Sequence, residues 1–65
     1  MTMPEALFIV REEARLRDSG WTFQDVHGSC VPTIVAHHPF LGSGTLSIGP
    51  ETTDADLRLW TRTLP

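Results

Sequence analysis

From Ser19 to Pro50 the chain carries one charged residue, Asp25, if histidines are left aside, whereas both flanking segments are dense in charge. All five arginines (Arg11, Arg15, Arg17, Arg58, Arg62) and the other seven acids lie outside that stretch. Strands that cover a core exclude charge and helix faces tolerate it, so this pattern predicts a central sheet with a helix before and after it. It also marks the centre as a candidate contact surface, because the cores of contact patches are depleted in charge.

A chain of 65 residues is read as one domain, residues 1–65, near the lower limit for a self-supporting core. At this size only about 60% of the unfolded chain's surface is buried. Domains this small usually add disulfides, a metal, a partner or unusually good packing. The single cysteine, Cys30, rules out an internal disulfide and leaves metal or a partner surface to consider. The 40% hydrophobic content argues for a folded chain. There is no lysine, which a GC-rich genome would explain without any function; the formal charge of −3 speaks against broad nucleic-acid affinity, which is built on neutralising phosphates with Lys and Arg. The apolar run Ala6–Val10 follows Glu5 and is shorter than a signal core of roughly 7–15 residues or a spanning helix of about 20. A soluble, cytoplasmic protein is expected.

Residues 4–19, PEALFIVREEARLRDS, read as one helix. Pro4 suits its first position, Glu5 its positive end, Arg15 and Arg17 its negative end, and Gly20 its stop. Met3, Ala6, Leu7, Val10 and Ala14 fall on one face; Phe8 lies well outside it, and Ile9 and Leu16 form a second, partly covered stripe. The competing reading is a strand at Leu7–Arg11 followed by a short helix. Residues 21–27 and 31–37 are rich in β-branched and aromatic types and read as strands, with Pro32 marking an edge strand or a strand start. Residues 39–44 read as a loop and 45–49 as a third strand. Thr53 caps a second helix in near-capping-box spacing with Asp56, and Leu57, Trp60 and Leu64 share its inner face. The predicted architecture is α+β, in the order α-β-β-β-α: an antiparallel three-stranded sheet packed with two helices. Trp21 and Trp60 are expected in the core.

Metal chemistry would draw on His27, Cys30, His37 and His38, since imidazole with thiolate is a common zinc set. On a strand, however, His37 and His38 point to opposite faces, and the usual paired-ligand spacings are absent. A Cys30 nucleophile would need His27 or His37 as base and Asp25 to orient it, with no flanking signature to support that. The GSG run at 42–44 lacks the Lys-Ser/Thr ending of a phosphate loop and reads as a turn. Nothing calls for a cofactor, and no catalytic constellation emerges.

The segment ARLRDSGWTFQDV, residues 14–26, resembles the opening of bacterial helix-turn-helix regulators, and Ser29 with Pro32-Thr33-Ile34 looks similar to the start of their recognition helix. That resemblance implies DNA binding through residues 14–38. Against it, the connection after Val26 is about three residues short, and VPTIVAHH has no Arg, Lys, Asn or Gln to read base edges. A second resemblance is one of class. A lysine-free acidic chain of this size, PEALFIVREEARLRDS through TDADLRLWTRTL, is similar to the small proteins that phages and mobile elements encode against bacterial CRISPR systems. It implies stoichiometric binding to a Cas subunit or surveillance complex in a bacterial host, and it carries no motif from which residues transfer.

The favoured reading is therefore a non-catalytic protein-binding module, an inhibitor acting by occlusion of a larger nucleic-acid-handling complex. Phe8, Leu59, Phe40 and Leu41 are apolar residues left over once the core is filled, and Glu12, Glu13, Arg15, Asp54 and Asp56 would ring them. A homodimer through the strand containing Pro32, or through the uncharged centre, is compatible with either function.

Overall fold

The computed structural model describes residues 1–26 and 31–65, so the expectations for His27 and Cys30 lie outside the described residues. Proline in the first turn and Glu5 at the positive end open helix α1, Met3–Arg11. Met3, Ala6 and Val10 turn inward, while Leu7 and Ile9 are half-buried.

The single helix expected over 4–19 is broken. Glu12 is the last helical residue in conformation, Glu13 is extended with ψ 101°, and a second helix, α2, runs Ala14–Ser19. Packing explains the break. Val10 and Leu16 are both fully buried. Six residues apart, they would sit about 120° from each other on a continuous helix, too far round to enter one core together. The break resets the phase, so Leu16 enters the core and Ala14, expected on the inner face, is exposed. Gly20 closes α2 with φ 106°, as the Trp21 N–H returns 3.0 Å to the Leu16 carbonyl and the Gly20 N–H 3.2 Å to Arg17. This is a Schellman ending, and it turns Trp21 into the core.

Three strands follow: β1 Thr22–Val26, β2 Thr33–His38 and β3 Gly42–Ser47, in an antiparallel sheet of order β1-β2-β3. The protein is thus α+β as expected, with three helices among the described residues instead of two. Pro32 precedes β2, which is the central strand, so it marks a strand start and not an edge. Register pairs Phe23 with Ala36 and Ala36 with Gly44, and Asp25 with Ile34 and Ile34 with Leu46. These residues share the face that the helices cover. The other face presents rows such as Gln24, Val35 and Thr45, and its strand positions hold no acid and no arginine. The uncharged centre of the sequence supplies this open face as well as much of the covered one.

Gly42–Gly44, expected in a loop, opens β3; only residues 39–41 form the turn. A Cβ on Gly44 would lie 2.9 Å from the Leu64 Cδ2, so the strand runs close beneath Leu64 and a larger residue would push the end of that side chain aside.

The last helix, α3, spans Asp54–Thr63 and starts at a complete capping box: Thr53 Oγ1 accepts from the Asp56 N–H, and Asp56 accepts from the Thr53 N–H at 3.0 Å. Leu57, Thr61 and Leu64 are buried; Trp60 is only half-buried, packed edge-on against Phe23. Arg15 reaches from α2 to the end of α3, where its Nη2 donates to the carbonyls of Thr61 at 2.8 Å and Leu64 at 3.3 Å. The Thr61 carbonyl also accepts from the Leu64 N–H at 3.3 Å, which closes the helix end, and a guanidinium suits the negative end of the dipole. No helix among the described residues is long and apolar enough to cross a membrane.

The broken-helix packing has a direct test by chemical denaturation. Leu16→Ala is expected to cost about 2–5 kcal/mol of stability, and Ala14→Gln to change it by about 0.5 kcal/mol or less. A continuous helix would make Ala14→Gln the costly change.

Candidate functional site

Phe8 stands on the outer face of α1 because the helix buries Met3, Ala6 and Val10 on the other side. It is 67% exposed. Shallow grooves lie against it: one holds Pro4, Glu5 and Ile9, the other Leu7, Arg11, Glu12 and Asp25. Phe8 is thus a ridge between them, with three carboxylates and one guanidinium around it. That guanidinium is committed to the fold, since Arg11 Nη2 donates to the Phe23 carbonyl at 2.9 Å. The Glu5 carboxylate accepts from Thr2 Oγ1 at 2.9 Å, which braces the start of the helix. An apolar centre with an acidic rim is suited to a partner surface that is apolar at one point and basic around it.

Phe40 and Leu41 occupy the β2–β3 turn, with Phe40 90% exposed. His38 holds this turn. Its Nδ1 accepts from the N–H groups of both Phe40 and Leu41 at 3.1 Å, and its Nε2 donates to the Ser19 carbonyl at 2.7 Å. These contacts assign the Nε2–H tautomer. His38 is buried and its ring also meets Trp21, with centroids 5.4 Å apart. His38 thus ties the β2–β3 turn to the α2–β1 junction. His37 is exposed on the open face. The two therefore do not converge, and among the described residues no three metal-ligating side chains come together.

The remaining residues singled out from the sequence fall elsewhere. Glu13 and Arg15 line a polar groove with Arg58 and Arg62, where Arg15 is bound to α3 carbonyls. Asp54 pairs with Arg58 at 2.9 Å, an exposed i,i+4 contact worth about 0.3–0.5 kcal/mol, and Asp56 serves the capping box. Leu59 is 64% exposed and faces a groove between α3 and β3. The ring of charge expected around one apolar surface is instead distributed. Glu12 belongs with Phe8, while Glu13, Arg15, Asp54 and Asp56 are placed around α3. Pro4 and Glu5 join Phe8 without having been singled out for this surface, as do Leu7, Ile9, Arg11 and Asp25. For Pro4 and Glu5, a position one turn or so before Phe8 was the available signal.

The 14–38 segment contains one helix and two strands among its described residues, so β1 stands where a second helix would follow the Gly20 turn. Among the described residues of this segment no second helix is formed to dock in a major groove.

Denaturation also separates the turn's anchor from its display. His38→Ala leaves the Phe40 and Leu41 N–H groups without their acceptor and is expected to cost about 1–3 kcal/mol, whereas Phe40→Ala should change stability by less than about 1 kcal/mol. Comparison with known protein families, curated protein sequences and solved structures finds no match.

Proposed function

We propose that this protein is a non-catalytic binding module that occludes a basic, nucleic-acid-facing surface on a larger protein complex through the outer face of α1. The observation that carries this reading is Phe8: a large aromatic residue, 67% exposed, flanked by Pro4 and Ile9 and rimmed by Glu5, Glu12 and Asp25. Aromatic anchors at the centre of an interface supply much of its affinity, and surrounding charge sets partner choice and encounter rate. The similarity in size and composition to inhibitors of CRISPR systems makes a Cas effector the first complex to test. Phe40 and Leu41, held out on a braced turn, are a second contact point for a partner large enough to reach both.

The reading is tested by affinity capture of the tagged protein from bacterial lysate, with and without nuclease, read by mass spectrometry. A protein partner should be retained near one-to-one stoichiometry after nuclease treatment. Phe8→Arg should reduce its recovery at least about tenfold while the thermal midpoint stays unchanged. Recovery that vanishes with nuclease, or that survives Phe8→Arg, would refute it.

A further inference from the structure

The two edges of the sheet are not equivalent. At the β1 edge, Arg11 of α1 donates to the Phe23 carbonyl, and Asp25 sits on the helix-covered side of the strand. A filled carbonyl and a charge placed toward the covered face are devices that block further strand pairing. At the β3 edge neither is present. Gly42–Ser47 contains no charge and no proline, and among the described residues no hydrogen bond runs outward from its backbone.

Beside that open edge lies an apolar shelf. Leu46 from β3 and Leu59 and Trp60 from α3 line a groove along the strand, with Asp56 its one acid. Asp56 is already bound to the Thr53 N–H. Leu59 at 64% exposure and the half-buried Leu46 and Trp60 have no further cover in a lone chain.

We propose that β3 is the edge through which two copies of this chain join, as an antiparallel β3–β3 pair about a two-fold axis near Thr45. The paired sheets become one six-stranded sheet, helices on the same side, and the Leu46–Leu59 shelves of the two copies meet across the axis. Self-pairing is favoured over capture of an unrelated strand on two grounds. The strand carries no charge, so two copies meet without like-charge repulsion along it and offer no charge to select another partner. Because β1 is blocked, the association also closes at two copies instead of growing into a filament. The contact is one strand long, roughly 20 Å, and one strand-plus-helix layer deep, which places it near the low end of stable interfaces, on the order of 1,000 Å² in total. The dimer is therefore weak and concentration-dependent. This surface is separate from the Phe8 face, and the inference stands whether or not the proposed function does.

Sedimentation equilibrium of the full chain from about 1 µM to 1 mM tests it. The expected result is a monomer–dimer equilibrium with a thermal midpoint that rises with concentration. Leu59→Glu, at an exposed position, and Thr45→Lys, on the open face, should each weaken dimerisation at least about tenfold while leaving the circular dichroism of the dilute protein unchanged. Phe8→Ala should leave dimerisation intact. A chain that stays monomeric to 1 mM overturns the proposal. So does a dimer indifferent to both edge variants, one lost with Phe8→Ala, or growth past two copies.

Discussion

The burial of Val10 and Leu16 in one core is the constraint on which the rest of the structure depends. Both are fully enclosed, and a straight helix cannot bring residues of that spacing to one side. Breaking the helix at Glu12-Glu13 satisfies them. It also releases α2 to a different direction, from which Arg15 reaches the carbonyls at the end of α3. The Gly20 ending then delivers Trp21 into the core and its indole N–H to the Pro65 oxygen at 3.2 Å. One packing requirement near the start of the chain thus fixes contacts across 40 or more residues of sequence.

All three helices cover one face of the sheet, and this sets where chemistry can be displayed. The covered face spends its apolar residues on the core, so what remains for recognition is the outer surface of the helices, the turns and the edges. Phe8 with its carboxylate rim is such a helix surface; Phe40 and Leu41 are such a turn, kept in place by an imidazole that accepts two backbone N–H groups. Buried polar groups of this kind stabilise only when fully partnered. His38 meets that condition, and among the described residues no buried side-chain nitrogen or oxygen lacks a partner.

How far the site was legible follows from the same geometry. The exposure of Phe8 came directly from its angle around α1 relative to Met3, Ala6 and Val10, because a single helical turn fixes that angle locally. Its association with Pro4 and Glu5 was legible on the same grounds. The roles of Arg15, Asp54 and Asp56 were not separable by type, since a charged residue on a helix reads alike whether it faces solvent, a neighbouring carbonyl or a cap. The burial of His38 depends on Ser19 lying behind it, a contact between residues 19 positions apart.

The amino-acid sequence by itself determined the α+β class, the antiparallel succession of three strands, the capping box at Thr53 and Asp56, and the outward position of Phe8. Each of these follows from periodicity, propensity or hydrogen bonding within a few residues, and such local terms act before any long-range contact forms. Only the tertiary structure decided the break at Glu12-Glu13, the extension of β3 back to Gly42, the central place of β2 and the difference between the two sheet edges. Those features arise where distant residues compete for the same space, as Leu64 does above Gly44 and Leu16 beside Val10. Close packing resolves such competition by shape, and shape is a property of the assembled elements and not of any one segment.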